Sequence, residues 1–388
     1  MREALVPGAS GLTAEDRELQ QVIASFATNE LNEGLVERDA AHEFNREGWR
    51  KCAELGLQGL PVPDSYGGGG AGALTTAAAM VGLGYGCHDN GLIFAINAHM
   101  WACQTPIMRF GSEELKQRYL PALCDGTLIA AHGMTEPATG SDAFALTTSA
   151  TRTDNGWVLN GQKTFVTNAP VADVFILFAT TDVSLGFAGL CAFVVERDTP
   201  GLLVGKPIAK MGLHTSPMSE VFLDNCEVAD ETLLGEVGGG MPIFNSSMRW
   251  ERALILAASV GTMQRHLEVS TAYARERRQF GTSIGSFQAV SHRLVDMRLR
   301  LDTSRLLLYE TARLLDSGKS ADVEAALTKI HLSDNFVHSA TDALELHGGY
   351  GYTAEYGFER DVRDAFASRL YSGTTDMQRN LVASHLGL

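Results

Sequence analysis

Hydrophobic positions follow a helical period at both ends of the chain. One face of a long helix is predicted by apolar residues that recur every three or four positions: Phe287, Val290, Leu294, Met297 and Leu301. A second long helix is predicted over 321–347, where Gly348 and Gly349 would end it. Residues 13–130 show the same helical period, with breaks at glycine- and proline-rich stretches. The pattern therefore predicts a helical region at each end of the chain.

The middle of the chain has a different pattern. Residues 145–235 favour strands, and the continuous apolar run 174–178 predicts a strand that is buried on both faces. Asn155-Gly156 and Asn160-Gly161 tolerate positive φ angles, so each pair predicts a tight hairpin turn. The predicted organisation is a helical domain over 1–130, a β domain over 131–238 and a helical domain over 239–388.

Composition and charge exclude several classes of function. The chain has 388 residues and a net charge of −15, so we expect no binding to nucleic acid or to an anionic membrane. No apolar run is long enough to span a bilayer, and the first residues lack the apolar core of a signal peptide. The six cysteines form no C-x-x-C pair, which predicts reduced thiols in a cytoplasmic protein. No histidine pattern is typical of a metal site, so we predict no metal.

Three motifs have both a structural and a functional interpretation. The run 67–72 matches G-x-G-x-x-G, but two prolines precede it where a strand is required, which favours a plain glycine turn. The segment HGMTEPATGSDA over 132–143 is either a polar linker or a loop whose hydroxyls and backbone N–H groups bind a ligand. The arginines of YARERRQFG (273–281) are either a solvated helix end or a pyrophosphate clamp, and their spacing favours neither.

These segments, taken in order, resemble the acyl-CoA dehydrogenase family over nearly the whole chain. EGWRKCAELGLQGLPVPDSYGG is similar to its N-terminal helix and turn, and MTEPATGSDA and GQKTFVTNA are similar to its two flavin-binding segments. Its remaining blocks are matched by KMGLHTSPMSEVFLDNCEV, YARERRQFG, ELHGGYGY and YSGTTDMQR. The resemblance implies an α+β multidomain fold with an N-terminal helical domain, a central β-barrel and a C-terminal four-helix bundle. It also implies FAD and a homotetramer.

The resemblance also assigns cofactor-binding residues. Those expected around the flavin and its pyrophosphate in the same subunit are Met134, Thr135, Ser141, Phe165 and Thr167. Those expected to reach FAD from a neighbouring subunit, or to lie near its phosphates and adenosine, are Arg277, Phe280, Gln288, Glu345, Gly348, Gly349, Thr374 and Asp376. Many family members have Trp in place of Phe165, and Phe still offers an aromatic face. Glu345 replaces a common Gln, and a carboxylate near phosphates is unfavourable, so the two glycines are the firmer assignment.

The chain departs from the common family motif at the expected base. The motif Y-E-G-T, whose Glu is the base, is here Tyr371-Ser372-Gly373-Thr374, and serine cannot act as that base without a partner. Isovaleryl and long-chain types instead carry the base just before a helix arginine, which here is Glu251 before Arg252. The resemblance thus implies that Glu251 removes the α-proton, and that Ser141 and Arg252 contact substrate. The alternative is that Glu251 is an ordinary carboxylate of a helix N-terminal turn.

The expected activity is the FAD-dependent α,β-dehydrogenation of an acyl thioester. The segment 84–101 and the relocated base resemble enzymes that act on acyl or aminoacyl groups bound to a carrier protein, so the substrate is a thioester of CoA or of a carrier protein. An electron acceptor such as an electron-transfer flavoprotein is expected. The remaining alternatives are a flavin oxidase or oxygenase of the same fold and a non-catalytic FAD-binding scaffold.

Overall fold

Helices form the first third of the chain, as predicted. The computed structural model describes residues 11–388. Its first helices are α1 (Ala14–Glu30), α2 (Leu35–Ala41), α3 (Arg46–Glu54), α4 (Ala73–Gly86), α5 (Asn90–Asn97), α6 (Thr105–Phe110) and α7 (Glu113–Cys124). The start of α1 is fixed by a reciprocal cap, since Asp16 N–H donates to Thr13 Oγ1 (3.1 Å) and Thr13 N–H donates to Asp16 Oδ2 (2.8 Å). The glycine run 67–72 forms turns and opens no βαβ unit.

The middle of the chain forms a mixed sheet. Its strands are β1 (Ala130–Gly133), β2 (Ser149–Thr153), β3 (Gly156–Thr167), β4 (Val174–Thr180), β5 (Leu190–Glu196), β6 (Leu202–Val204), β7 (Met218–Val228) and β8 (Leu233–Leu234). The order is β6-β7-β3-β2-β4-β5-β8, with β1 parallel to β4. The expected closed barrel is wrong, because the edge strands β6 and β8 do not pair with each other within residues 11–388. Each edge strand is only two or three residues long, too short to close the sheet.

Strand β4 is buried on both faces, which confirms the prediction from its apolar run. Val174, Ile176 and Phe178 pack in the core between the sheet and the N-terminal helices. Phe175 and Leu177 pack in the second core, on the other face of the sheet. Alternate side chains thus point into different cores, as the period of a strand requires.

Only one of the two Asn-Gly pairs lies at a turn. Asn155-Gly156 joins β2 to β3, and Thr153 pairs with Gly156 across the hairpin. The hairpin expected at Asn160-Gly161 is wrong, because both residues lie inside β3 at a shift in its register with β7. Gly161 has φ 153°, and a Cβ there would lie 2.8 Å from Thr148 Cα, so the glycine allows an irregular strand to pass close to a neighbour.

Helices return after residue 239, as predicted. They are α8 (Gly240–Leu254), α9 (Ala257–Glu276), α10 (Gln288–Asp316), α11 (Asp322–His347), α12 (Phe358–Ala367) and α13 (Thr375–His385). A two-strand ribbon, β9 (Arg278–Gln279) with β10 (Thr282–Ser283), joins α9 to α10. One hydrophobic core includes residues of α1, α4, α9, α10 and α11, so the two helical regions share their interior.

Helices α4 and α9 approach closely at two glycines. A Cβ at Gly84 would lie 1.9 Å from the carbonyl oxygen of Ala258, and a Cβ at Gly261 would lie 2.0 Å from that of Val81. No side chain fits at either position unless the backbones separate. This contact sets the position of α9, and α9 follows directly on the helix that carries Glu251.

Other sequence predictions concern cysteines, metals and membranes. All six cysteines are free and buried, in agreement with the prediction of reduced thiols. Within residues 11–388 no group of three His, Cys, Asp or Glu residues could hold a metal ion. Every helix in this described part is too short or too polar to cross a membrane.

Gly84→Ala is expected to destabilise the fold. The added methyl group collides with the backbone of α9, and overpacking of this kind costs about 1–3 kcal/mol. Thermal unfolding with saturating FAD measures the loss as a lower Tm than that of the wild type. Gly140→Ala is the control, because Gly140 has no atom within 4 Å of an added Cβ; since Gly140 lies on the flavin loop, both variants are also compared without FAD. An unchanged Tm for Gly84→Ala would contradict the close contact.

Candidate active site

Glu251 lies in the last turn of α8, and its side chain is buried. The residue is only 7% exposed, and its carbonyl oxygen accepts a hydrogen bond from Ile255 N–H (2.8 Å) where the helix ends. The alternative that Glu251 belongs to a helix N-terminal turn is therefore wrong. The C-terminal end of a helix carries partial negative charge and disfavours a carboxylate. A buried carboxylate at this position needs another explanation.

Ser372 supplies a hydrogen bond to this carboxylate. Its Oγ donates to Glu251 Oε1, across 121 positions of sequence. The other carboxylate oxygen, Oε2, is buried and has no hydrogen-bond partner in the described part of the chain. Ser372 has φ 56°, a left-handed conformation that costs a non-glycine residue free energy, so neighbouring contacts must hold it.

Two side chains hold the turn that carries Ser372 by donating hydrogen bonds to its carbonyl groups. Lys329 Nζ donates to Gly373 O (2.7 Å), and Gln378 Nε2 donates to Ser372 O (3.2 Å) and Gly373 O (3.0 Å). Lys329 is buried and lies 5.6 Å from the centre of the Tyr371 ring. The lysine thus connects α11 to the turn, and the turn presents Ser372 to Glu251.

Burial dominates the electrostatics around Glu251. It raises the pKa of the carboxyl group above its usual value, while the Ser372 hydrogen bond and the charges of Arg252 and Lys329 act in the opposite direction. Burial also lowers the pKa of Lys329 to about 7. Arg252, expected to contact substrate, is largely buried, and its Nε has no partner among residues 11–388. A carboxylate with a raised pKa suits a general base near neutral pH.

The structure brings together the two segments that the sequence assigns to the flavin. Thr164 N–H donates to Thr135 O (2.9 Å), so the segment around Met134 lies beside the end of β3, which carries Phe165 and Thr167. The two segments thus lie side by side, although more than twenty residues separate them in sequence.

A buried ion pair supports the same loop. Lys163 Nζ lies 2.8 Å from Glu136 Oε1 and donates to Met134 O (3.3 Å). Burial opposes the charge on Glu136, but Lys163 and hydrogen bonds from Thr147 and Thr148 hold its pKa at about 2. The loop conformation is therefore fixed by interactions that do not involve a ligand.

Observations in this region fit FAD. Thr139 Oγ1 is buried without a partner among the described residues, which makes it available to a polar ligand. Phe165 is 61% exposed and has φ 55°, so an aromatic face lies uncovered beside the loop. Ser141 is exposed on the same loop. When bound, FAD supplies the acceptor for a hydride from the substrate.

Most of the remaining assigned residues lie apart from this loop, at one end of the helical bundle. Arg277 ends α9, Gln288 begins α10, and Phe280 is 93% exposed between them. Gly348 and Gly349 end α11, and an added Cβ would meet no atom within 4 Å at either position. Their role at FAD of a neighbouring subunit stays a prediction.

Glu345, Thr374 and Asp376 have partners within the chain. Arg293 Nη1 lies 2.6 Å from Glu345 Oε2, so the carboxylate that seemed unfavourable near phosphates is paired with a cation. Thr374 caps α13, since its Oγ1 accepts from Met377 N–H (3.2 Å), and Asp376 pairs with Arg379 (3.0 Å). Thr374 lies two residues from Ser372, so this assigned FAD segment adjoins the Glu251 site.

Sequence reasoning missed Lys329 and the role of Ser372. Lys329 lies four residues after Ala325 and three before Leu332, both fully buried, so its helical spacing placed it on the buried face of α11. A lysine on a buried helix face needs a hydrogen-bond partner or an opposite charge, so its position in the sequence indicated an interaction inside the fold. No local pattern could reveal that Ser372 meets Glu251, because the contact is made only by the tertiary fold.

Comparisons with known proteins agree with this geometry. Three family models match: the acyl-CoA dehydrogenase N-terminal domain over 13–127, the middle domain over 131–226 and the C-terminal domain over 238–387. An L-prolyl-[peptidyl-carrier protein] dehydrogenase of Pseudomonas fluorescens is 43% identical over 89% of this chain and 91% of its own length. A solved structure described as the prolyl acyl carrier protein oxidase AnaB is 48% identical, with a TM-score of 0.96 over 97% of this chain and 100% of that chain. A structure described as PigA with FAD and proline is 40% identical, with a TM-score of 0.95 over 97% of this chain and 98% of that chain.

The matches to the family models cover the described chain from the first helix to the last, and the relatives match over most of their own length. The chain belongs to the acyl-CoA dehydrogenase family and is an FAD-dependent acyl thioester dehydrogenase.

Proposed function

We propose that the substrate is an aminoacyl group, specifically a prolyl group, held as a thioester on a peptidyl carrier protein, and that Glu251 is the catalytic base. The carrier-bound substrate is supported by the likeness to the prolyl carrier-protein enzymes. The role of Glu251 is supported by one observation above all: its Oε2 is buried and unpaired, while Oε1 is held by Ser372.

In this proposal the two carboxylate oxygens have different roles. The hydrogen bond from Ser372 fixes the orientation of the carboxylate through Oε1, so Oε2 remains the basic oxygen. Oε2 accepts the α-proton, and the electron pair of the C–H bond forms the α,β double bond as hydride leaves the β-carbon. Burial strengthens the base, because the neutral carboxylic acid produced is favoured in a site with little water.

Arg252 and Ser141 complete the proposal for substrate binding. Arg252 has a buried and unpaired Nε next to the base, where a cation stabilises negative charge that develops on the thioester carbonyl. Ser141 is exposed on the flavin loop, where its hydroxyl group can contact the pantetheine arm. Both roles are inferred from position and from the family resemblance.

We also propose an electron acceptor, an assembly and a location. An electron-transfer flavoprotein is the expected electron acceptor. The exposed residues Arg277 and Phe280 support a homotetramer in which one subunit completes the FAD site of another. The free, buried cysteines support a cytoplasmic location. The solved relative described as an oxidase favours molecular oxygen as the alternative acceptor.

Glu251→Gln is expected to abolish most of the chemical step. The substitution keeps size and hydrogen bonding but removes the basic oxygen, and a general base contributes roughly 10²–10⁴-fold. Anaerobic stopped-flow absorbance measures the rate of flavin reduction by a prolyl-loaded carrier protein, with FAD content as the control. Because Ser372 contacts Glu251, Ser372→Glu in the Glu251→Gln background should return part of the rate. Flavin reduction at the wild-type rate in Glu251→Gln would show that another group is the base.

Lys329→Met is expected to move the pH dependence of flavin reduction. Glu251 faces two cations, Arg252 and Lys329, and the hydroxyl group of Ser372. It also faces the Cys103 thiol and the Tyr371 phenol, and burial raises the pKa of both of these groups, so they stay neutral. Protonated Lys329 lowers the pKa of Glu251, so removal of the lysine raises that pKa. Glu251 is then deprotonated only at higher pH, and a higher pH is needed to reach the same rate of flavin reduction. The difference should be largest below about pH 7, where Lys329 is protonated.

The matched control for this pH profile is Lys210→Met. Lys210 is also a lysine that donates to a backbone carbonyl, that of Ser216 (2.8 Å), and its pKa is also lowered by burial. Lys210 makes no contact with Glu251, so the profile of Lys210→Met should match that of the wild type. If Lys329 affects Glu251 neither by its charge nor through the turn that carries Ser372, Lys329→Met should lower the rate equally at every pH, with no displacement of the profile.

Substrate choice is tested by the same prolyl group on three carriers. A peptidyl carrier protein, CoA and free pantetheine are compared by the concentration that gives half-maximal flavin reduction. We expect the carrier protein to be effective at the lowest concentration. If prolyl-CoA or a simple acyl-CoA reduces the flavin as fast at equal concentration, the carrier-protein assignment is wrong, although the dehydrogenase activity stands.

A further inference from the structure

We propose that an exposed apolar face beside the substrate loop is the docking site for the carrier protein. We call it the apolar rim, and it consists of Val183, Leu185 and Phe187 in the loop between β4 and β5, with Val237 before α8. This inference rests on the proposed function and extends it from the substrate group to the protein that delivers it.

The apolar rim is unusually exposed. Val183, Leu185, Phe187 and Val237 are 61%, 54%, 56% and 56% exposed. Three of them alternate along the nine-residue loop 181–189, where polar residues would be the ordinary choice. Clustered exposed apolar side chains on a soluble surface mark an interaction site more often than single ones do.

Contacts place the apolar rim at the start of α8 and beside the Ser141 loop. Gly238 N–H donates to Cys191 Sγ (3.3 Å), and a Cβ at Gly238 would lie 2.6 Å from Ala188 O. The β4–β5 loop also packs against the turn 143–145, which begins two residues after Ser141. The rim therefore adjoins the residue to which we assign the pantetheine arm.

The distance from the rim to the base suits a tethered substrate. Helix α8 runs from Gly240, which packs against Leu190 at the end of the loop, to Glu251 in its last turn. At about 1.5 Å per residue this path is roughly 16 Å long, comparable to an extended phosphopantetheine arm. A carrier protein on the rim can thus deliver its acyl group to Glu251 while its own surface stays outside.

The charges around the rim discriminate against CoA. The segments 135–149, 181–191 and 235–248 contain no lysine or arginine, while Asp142, Asp182 and Glu236 are exposed in them. CoA would bring a diphosphate and a 3′-phosphate to this surface, whereas a carrier protein brings a single phosphodiester. Arg109 is one nearby cation, next to Phe110, whose carbonyl oxygen accepts from Gly235 N–H (3.0 Å). A single phosphodiester needs less positive charge than the phosphates of CoA, and the apolar side chains suit a protein surface.

The test compares a rim variant with an exposed apolar control. Leu185→Ser/Phe187→Ser removes two rim side chains, and Leu203→Ser removes one that is 62% exposed on β6, at the opposite edge of the sheet. Anaerobic flavin reduction is measured against the concentration of prolyl-loaded peptidyl carrier protein and of prolyl-pantetheine. The rim variant should need about 10-fold or more carrier protein for half-maximal rate, since central apolar anchors dominate interfaces. Its limiting rate and its response to prolyl-pantetheine should match the wild type, and Leu203→Ser should change nothing.

Each other outcome overturns the inference. An unchanged half-saturating carrier concentration in the rim variant places docking elsewhere. An equal loss with carrier protein and with pantetheine shows that the loop serves the catalytic site itself. A change in oligomeric state by light scattering shows that the rim is covered by a second copy of the chain. If the wild type is not reduced by the carrier thioester at all, the proposed function fails together with the docking site.

Exclusion of CoA by the acidic surface is tested separately by Glu236→Lys. Replacing an exposed carboxylate by a cation beside the rim should lower the half-saturating concentration of prolyl-CoA several-fold, and added salt should remove the gain. The response to prolyl-pantetheine, which lacks the phosphates, should stay the same. No gain with prolyl-CoA would show that the acidic surface does not select against CoA.

Discussion

The hydrogen bond from Ser372 to Glu251 is the contact on which the site depends. It joins the last turn of α8 to a turn near the end of the chain, and it settles which carboxylate oxygen remains free. Without it, a buried carboxylate at a helix C-terminal end would have both oxygens unpaired, which is costly. Lys329 and Gln378 serve this contact, since both hold the carbonyl groups of the turn that presents the serine.

The rest of the fold brings these two elements together. Helix α9 begins just after the bend at 255–256 that ends α8, and its position is set by glycine contacts with α4. The sheet holds the other half of the site, where the Glu136–Lys163 pair and the Thr164–Thr135 hydrogen bond fix the loop beside β3. The helical core positions Glu251 and the sheet positions the loop around Met134 and Thr135, so the proposed base and the proposed cofactor loop come from different parts of the fold.

Much of this arrangement could be predicted from the sequence. Local patterns were sufficient for the long helices, for the doubly buried strand β4 and for the end of α11 at Gly348, because period, burial and glycine conformation are local properties. The assignment of Glu251 came from family resemblance, and its burial agrees with that role. Asn160-Gly161 shows where prediction from the local sequence fails. The same dipeptide is compatible with a turn and with an irregular strand, and pairing with the neighbouring strand determines which of the two forms. The open sheet could not be foreseen either, because closure depends on edge strands of two or three residues.

The non-local contacts explain why the site itself was only partly predicted. Ser372 seemed at first to be a lost base, and its positive role depends on a neighbour 121 positions away. Lys329 had a signal in its helical spacing, yet its partner is a backbone carbonyl group, which no sequence pattern marks. Such contacts arise from the packing of α8, α11 and the 371–374 turn.

The central claim is that Glu251 Oε2 removes the α-proton. It is tested most directly by α-proton exchange in D₂O with an acetyl thioester, which has α-hydrogens but no β-carbon to give up a hydride. NMR follows the loss of the methyl proton signal. Exchange well above the buffer rate is expected with the wild type, and exchange at the buffer rate is expected with Glu251→Gln. Exchange by Glu251→Gln as fast as that of the wild type would contradict the claim.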